Sequence, residues 1–357
     1  MNKFWSDCIR GLQPYTPGEQ PRIRGLIKLN TNENPYPPSP AAIDAIRQAA
    51  CGDLRLYPDP EGTELQRTIA GSFGLSENQV FLGNGSDEVL AFVFLALLKH
   101  ERPVFFPDIT YSFYPVYCAL FDIAYETIPL DGTFRIDIAD YRRQNGGIVL
   151  ANPNAPTGSA LDREEVRELL EMTPGSVVVV DEAYVDFGAV SAVSLVKEFD
   201  NLLVVRTLSK SHSLAGLRVG FAIGNPSLIE ALRLVKNCFN SYPLDRLALA
   251  GAEAALRDRE YFEETRRKIM ADRERLASEI ASLDFEVFPS SANFLFVSHS
   301  DYDAADLMRL LRERRILVRH FKGERISRFL RISVGLPEEC DALVNALREI
   351  FRQRPAI

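Results

Sequence analysis

The chain has 357 residues, of which 46% are hydrophobic and 25% are charged, values typical of a soluble globular protein. Its length is sufficient for two domains. The net charge of −8 argues against a general affinity for nucleic acid or for an anionic membrane surface.

The sequence does not indicate a metal site, a disulfide framework or a membrane-spanning segment. The five cysteines are far apart and form no C-x-x-C pair, and the four histidines have no metal-ligand spacing. The longest apolar run, Val89–Leu98, is too short to span a bilayer, and the amino terminus has no signal-peptide core. We therefore expect a cytoplasmic protein with reduced thiols, no metal site, and no nucleic-acid or membrane partner.

The predicted elements divide the chain into three parts. Residues 1–41 are rich in proline, asparagine and glycine, which predicts an extended arm. In residues 42–250, short apolar runs alternate with helical patterns, which favours a large α/β domain with a mostly parallel sheet covered on both faces. Residues 251–357 begin with a long charged helix at about 252–282 and continue with strands and helices, which predicts a smaller α+β domain.

Polar motifs follow four of the apolar runs in the large domain. They are GNGSDE after 80–82, NPNAPTG after 147–151, DEAY after 177–180 and TLSKSHSLAGLR after 202–205. In open parallel sheets, ligands bind beyond the carboxyl ends of the strands. We therefore expect the four motifs to contribute to one binding site.

The motif GNGSDE predicts an anion site made by the backbone. Glycines between a strand and a helix let the backbone N–H groups of Ser86 and Asp87 converge on an anion at the helix N-terminus. The Asp87 carboxylate would repel an anion, so only its backbone amide is assigned to this role. The Lys-Ser/Thr pair of a P-loop is missing after the glycines.

Asp181 and Lys210 are the two candidate reactive groups. Asp181 follows four valines, where a carboxylate either caps a helix or meets a buried cation, because a lone buried carboxylate is costly. An isolated lysine is usually a free surface residue, but Ser209 precedes Lys210 and Arg218 follows it by eight residues. A partly desolvated lysine near another cation has a lowered pKa and can act as a neutral amine nucleophile.

These residues together describe a site for pyridoxal 5′-phosphate. The phosphate would be held by Ser209, Arg218 and the 83–88 turn. Asp181 would bind a ring cation, and the Lys210 amine would bond to the reactive carbonyl carbon. In their order and spacing, the four motifs resemble those of the fold-type-I pyridoxal-phosphate aminotransferases. The resemblance extends from LNTNENPYP (29–37) to FLRISVG (329–335).

The resemblance implies an architecture and an assembly. The fold would be α/β, with a mostly parallel seven-stranded sheet in the large domain and a smaller α+β domain. The arm would pack on the small domain and on a partner subunit. The protein would be a homodimer whose subunits share the active site.

The resemblance also assigns roles to single residues. Lys210 would bind the cofactor covalently and later move a substrate proton, and Asp181 would keep the pyridine nitrogen protonated. Tyr184 would donate a hydrogen bond to the hydroxyl oxygen of the cofactor ring, and Tyr111 would stack on the ring. Tyr57 would reach the phosphate bound by the neighbouring subunit.

Ala155 departs from the pattern of the family. The family commonly has an asparagine directly before PTG, which also donates to the ring hydroxyl oxygen. In this chain, either Asn152 or Asn154 supplies that contact, or Tyr184 acts alone.

Two arginines and Asn34 are candidate substrate contacts. In FLRISVG, the period of two places Arg331 on the strand face opposite Leu330 and Ile332. The resemblance implies that Arg331 binds a substrate carboxylate through a bidentate hydrogen bond and that Arg319 binds a substrate phosphate. The segment NTNENPY would close over the substrate, with Asn34 as a contact.

The resemblance implies amino transfer between small molecules. L-Histidinol phosphate would be the donor and 2-oxoglutarate the acceptor, giving imidazole acetol phosphate and glutamate in histidine biosynthesis. Transamination of aromatic amino acids is the near alternative, and a pyridoxal-phosphate decarboxylase on the same scaffold is another. A non-catalytic domain of a transcription regulator is a third, but the arm has little room for a helix-turn-helix segment.

Overall fold

The computed structural model describes residues 3–21 and 23–353 of the chain. The arm contains one short strand, β1 (Ile27–Lys28), and it ends at helix α1 (Pro40–Ala49). β1 pairs in parallel with residues 316–317 of the carboxy-terminal domain. Leu29, which follows β1, is buried in the core of that domain, so the arm is fastened to it by packing as well as by hydrogen bonds.

The large domain contains a seven-stranded sheet, which confirms the predicted fold class. Its strands are β2 (Val80–Asn84), β3 (Val104–Pro107), β4 (Tyr125–Ile128), β5 (Ile148–Ala151), β6 (Val178–Asp181), β7 (Leu202–Thr207) and β8 (Val219–Gly224). Their order is β2-β8-β7-β6-β5-β3-β4, and neighbours are parallel except where β8 takes part. Only β4 was not predicted, because this edge strand exposes three of its four side chains and has no apolar run.

Helices cover both faces of the sheet. Besides α1 they are α2 (Thr63–Phe73), α3 (Gly85–Leu97), α4 (Tyr114–Phe121), α5 (Arg163–Met172), α6 (Pro226–Phe239) and α7 (Arg246–Arg257). Side chains of α2, α5 and α7 share one apolar core with the sheet, and those of α3, α4 and α6 share another. Asp162 and Glu165 form a capping box at the start of α5.

The small domain packs helices on an antiparallel sheet. Its elements are α8 (Arg259–Ala281), β9 (Phe285–Phe288), β10 (Phe294–His299), α9 (Ala304–Glu313), β11 (Ile316–Leu317), β12 (Arg319–His320), β13 (Phe329–Ser333) and α10 (Pro337–Gln353). The sheet has the order β12-β13-β10-β9, and β11 pairs with β1 of the arm instead. Leu330 and Ile332 face the small-domain core, as the period of two predicted.

The predicted long helix at 252–282 is two helices. Asp258 lies between α7 and α8, and its side chain accepts a hydrogen bond from the Tyr261 amide of α8. α7 contributes alanines to the large-domain core, whereas α8 contributes to the small-domain core. The change from one core to the other therefore falls at Asp258, later than the expected boundary between residues 250 and 251.

Within residues 3–21 and 23–353, no helix is both long enough and apolar enough to cross a membrane. The same residues contain no cluster of three or more histidine, cysteine or acidic side chains that could hold a metal ion.

Candidate active site

A cavity of about 510 Å³ lies at the carboxyl ends of the parallel strands. Residues of the arm, the large domain and the small domain all line it, and we call it the cleft. The predicted site residues that line it are Ser86, Asp87, Tyr111, Asp181, Tyr184, Ser209, Lys210, Arg218, Arg319 and Arg331. The strand-end motifs thus meet at one place, as the parallel sheet requires.

Asp181, the last residue of β6, is buried at the bottom of this set. One carboxylate oxygen accepts from the Tyr114 hydroxyl at 2.9 Å and the other from the Ala183 amide at 3.2 Å. Burial raises the pKa of the Asp181 carboxyl to about 6, although both hydrogen bonds favour its ionised form. Among the described residues it has no cationic partner, so a cation in the cleft would stabilise it.

Lys210 lies in the turn after β7, and its amine reaches the cleft. Its Nζ donates to the Thr31 carbonyl at 3.2 Å and lies 5.7 Å from the centre of the Tyr184 ring. The next residue anchors the turn, because the Ser211 hydroxyl donates to Asp186 at 2.6 Å. Within the described chain, no carboxylate forms an ion pair with Lys210, so the amine is available to a ligand.

An anion cradle lies where α3 begins. A Cβ at Gly220 would lie 2.3 Å from the Ser86 nitrogen, and one at Gly85 would lie 2.4 Å from an Arg218 nitrogen. Glycine at position 220 therefore leaves room for the Ser86 amide, and glycine at position 85 leaves room for the Arg218 guanidinium. The Ser209 hydroxyl accepts two hydrogen bonds, one from Arg218 at 3.4 Å, so its own proton is directed to a further acceptor.

The Asp87 side chain has contacts that the sequence did not indicate. One oxygen pairs with Arg218 at 3.0 Å, and the other accepts from the Tyr111 hydroxyl at 2.8 Å. The carboxylate therefore holds Arg218 and Tyr111 in place. The anion contact assigned to the Asp87 backbone amide stays a prediction.

Arg331 and Arg319 bring positive charge to the small-domain side of the cleft. Arg331 donates to the Asn30 carbonyl at 3.1 Å, and its buried Nε has no hydrogen-bond partner among the described residues. Burial lowers the pKa of the Arg331 guanidinium, because removal from water disfavours its charged form. Arg319 donates to two backbone carbonyls of the arm, at 3.3 and 3.4 Å. Within residues 3–21 and 23–353, neither guanidinium group forms an ion pair with a carboxylate, so both are suited to an anionic ligand.

Three predicted asparagine contacts need correction. The Asn152 amide both donates to and accepts from the backbone of Leu161, and the Asn154 amide donates to the Ile109 carbonyl and the Thr157 hydroxyl. Neither lines the cleft, and both N–H groups of the Asn154 amide are already donated.

Asn34 likewise does not point into the cleft. Its amide nitrogen donates to the carbonyls of Lys210 and Ser211, at 2.9 and 3.2 Å, and its oxygen accepts from the Tyr36 amide. Asn34 therefore fastens the lysine turn to the arm and does not line the cleft.

Tyr57 lies outside the cleft of its own chain. Its side chain is 79% exposed, and its ring stacks on Tyr242 with 4.7 Å between centroids. A role at the site of a neighbouring subunit stays a prediction.

The sequence did not reveal three side chains that hold the site together. Tyr114 supports Asp181, and Asn32 donates to the Tyr184 hydroxyl at 3.0 Å. Arg206 forms a buried ion pair with Asp186, the residue that anchors the lysine turn. Each is distant in sequence from its partner. Tyr114 and Arg206 lie in no recognised motif, and the motif NTNEN, which contains Asn32, did not distinguish it from Asn34.

Comparisons with known proteins agree over nearly the whole chain. A family model described as aminotransferase class I and II matches residues 24–347. The chain is 59% identical over 354 residues to histidinol-phosphate aminotransferase 1 of Bordetella parapertussis, which covers 98% of this chain and 99% of that protein. It is also 59% identical to histidinol-phosphate aminotransferase 1 of Methylococcus capsulatus, with 100% of both chains covered.

A solved structure has the same fold. The crystal structure of histidinol-phosphate aminotransferase from Sinorhizobium meliloti in complex with pyridoxal-5′-phosphate matches with a TM-score of 0.84. The identity is 28%, and the match covers 92% of this chain and 91% of that chain.

Proposed function

The chain belongs to the class I and II aminotransferase family, and we propose that it transfers the amino group of L-histidinol phosphate to 2-oxoglutarate in histidine biosynthesis, with pyridoxal 5′-phosphate as its cofactor. One observation carries the proposal. Lys210 shares a cleft with a buried carboxylate that lacks a cation and with a cradle suited to an anion. The 59% identity to histidinol-phosphate aminotransferases supports the choice of substrate.

The residues of the cleft fit this cofactor. The cradle of Ser86, Ser209 and Arg218 suits its phosphate, and a Cβ at Gly85 or Gly220 would collide with the Arg218 guanidinium or the Ser86 amide. Asp181 suits a protonated pyridine nitrogen, because a buried carboxylate is stabilised by a cation. When bound, the cofactor supplies an electron sink for the substrate carbon that loses its proton.

The residues of the chain then have distinct tasks. Asp181 holds the proton on the pyridine nitrogen. Lys210 Nζ removes the proton from the substrate carbon that bears the amine, as a general base. Tyr111, fixed through Asp87, offers its ring face to the cofactor.

The two small-domain arginines suit the charges of both substrates. Arg319 binds the phosphate of histidinol phosphate. Arg331 binds a carboxylate of the keto acid, since histidinol phosphate has a hydroxymethyl group in place of a carboxylate. Both contacts are charge-assisted hydrogen bonds, which are about twice as strong as neutral ones.

We also propose that the protein is a homodimer in the cytoplasm. Tyr57 lies among exposed apolar side chains, including Leu54 and Leu56 before it and Tyr242 beneath its ring. Such a surface suits a second copy of the chain, and Tyr57 would then reach the partner's phosphate. The five free cysteines fit a reducing compartment.

An absorbance spectrum and two turnover assays test the proposed function. Wild type and the exposed control variant Lys322→Ala should gain the absorbance band of bound cofactor on adding pyridoxal 5′-phosphate, whereas Lys210→Ala should lack the covalent form and all activity. A wild type that gains no such band refutes the cofactor. Faster turnover of phenylalanine than of histidinol phosphate, compared by kcat/KM, refutes the substrate.

A further inference from the structure

Residues 30–34, which we call the strap, contact the cleft from the arm. The Asn30 carbonyl accepts from Arg331, and the Thr31 carbonyl accepts from Lys210. Asn32 is only 1% exposed and has a φ of 56°, a left-handed conformation that asparagine tolerates better than most residues. Its carbonyl accepts from the buried Asn293 amide at 3.0 Å, so the backbone of Asn32 is held firmly.

Three hydrogen bonds in series determine where the protons around Asn32 point. The Asn32 backbone N–H, which can only donate, donates to the Ser333 hydroxyl at 2.8 Å. The Ser333 hydroxyl donates its own proton to the side-chain oxygen of Asn32 at 2.9 Å. This bond fixes the orientation of the Asn32 amide, whose nitrogen then donates to the Tyr184 hydroxyl at 3.0 Å.

The Tyr184 hydroxyl is therefore an acceptor toward Asn32, and its own proton is directed elsewhere. Its ring lines the cleft beside Lys210, whereas Asn152 and Asn154 do not line the cleft. We propose that Asn32 and Ser333 are positioning residues that make Tyr184 a hydrogen-bond donor to the hydroxyl oxygen of the cofactor ring. This inference rests on the proposed function, because it needs the cofactor in the cleft.

Through these hydrogen bonds, Asn32 of the arm and Ser333 of the small domain would influence a proton held beside Lys210 of the large domain. A hydrogen bond donated to the ring oxygen stabilises negative charge on it. A proton on the Lys210 nitrogen, once the cofactor is bound, would then be held less tightly by that oxygen and would be lost at a lower pH. Asn32 and Ser333 would thus keep the Lys210 nitrogen unprotonated over a wider pH range.

A pH titration of the absorbance of the bound cofactor tests the proposal without measuring activity. Tyr184→Phe should raise the midpoint of this titration by about one pH unit, the effect of one hydrogen bond to a charged group. Ser333→Ala should raise it by a smaller amount, because the Asn32 amide is then free to turn its oxygen to Tyr184. In the Tyr184→Phe background, Ser333→Ala should cause no further shift.

Asn32→Asp is a second and stronger variant. Aspartate also tolerates the left-handed conformation, and its carboxylate can only accept, so it would take the Tyr184 proton away from the cofactor. Its added charge has an effect of its own, which the same substitution in the Tyr184→Phe background measures. The shift should be larger when Tyr184 is present.

Several outcomes separate the proposal from simpler explanations. Arg331 and Glu33, the charged groups that act on Tyr184 and Lys210, are unchanged in every variant. Ser298→Ala, which removes a hydroxyl bonded to Glu286 elsewhere in the small domain, should leave the midpoint unchanged. Equal shifts with and without the Tyr184 hydroxyl, or no shift in Ser333→Ala and Asn32→Asp, would overturn the inference. Failure of the wild type to bind the cofactor would instead overturn the proposed function.

Discussion

Asp181→Asn should stabilise the cofactor-free protein at pH 8 but not at pH 4. Burial raises the pKa of the Asp181 carboxyl from 3.8 to about 6 in the folded protein. The folded state therefore binds this proton more tightly than the unfolded state. Stability is lost as the pH rises from about 4 to about 6, and the loss is complete above that range.

The magnitude follows from the size of the shift. About two pKa units at about 1.4 kcal/mol per unit correspond to about 3 kcal/mol. Asparagine has no proton to lose, so its variant is spared this penalty. The difference in free energy of unfolding between variant and wild type should then grow by about 3 kcal/mol from pH 4 to pH 8.

Urea unfolding of the cofactor-free proteins at both pH values measures this difference. Asp140→Asn, at an exposed aspartate, serves as the control and should show no comparable change. With the cofactor present, the wild type should be more stable than Asp181→Asn, because a buried cation that loses its partner is destabilised by about 3–5 kcal/mol. This loss corresponds to a decrease of at least about a hundredfold in cofactor affinity. A difference between variant and wild type that does not vary with pH would refute the reasoning.

Three other predictions test the dimer, the substrate contact and the anchor of the lysine turn. Mixing inactive Lys210→Ala and Tyr57→Ala subunits should restore about a quarter of wild-type activity, since half of the dimers then contain one intact shared site; no recovery would place Tyr57 in the site of its own subunit, and a Tyr57→Ala variant that is active by itself would place it in neither site. Arg319→Ala should raise the KM for histidinol phosphate roughly 10- to 100-fold, the loss of a hydrogen bond to a charged group, with a smaller effect on the KM for glutamate. Asp186→Asn should lower the free energy of unfolding by about 3 kcal/mol, because it leaves Arg206 buried without its closest partner; a thermal transition equal to that of wild type would contradict this.

The sequence was sufficient to predict that the polar residues after the strands share one site, because the sheet is mostly parallel. Continuous valine and leucine runs predicted β6 and β7, and a parallel sheet brings the residues after such strands to one edge. Asp181 and Lys210 therefore lie in one cleft, as expected. The capping box of α5 can likewise be read from the sequence, since it depends on residues only three positions apart.

Contacts between distant segments were not predictable in the same way. The orientations of Asn34, Asn152 and Asn154 depend on which backbone carbonyls lie nearby, and no local pattern reports that. The hydrogen bond between Ser333 and Asn32 joins residues that are 301 positions apart in the sequence. The boundary between α7 and α8 at Asp258 was not predicted, because one long helix and two consecutive helices have similar polar patterns.

The carbonyl groups of the arm also bear on which charge an inhibitor of this enzyme should carry. Arg331 and Arg319 hydrogen-bond to neutral oxygens of the arm backbone. An uncharged compound would only exchange one neutral acceptor for another and gain little, whereas a phosphonate or carboxylate would gain the attraction of a guanidinium group in surroundings that screen it weakly. Masking such groups as esters, a common way to carry drugs across cell membranes, should therefore abolish binding until the esters are cleaved.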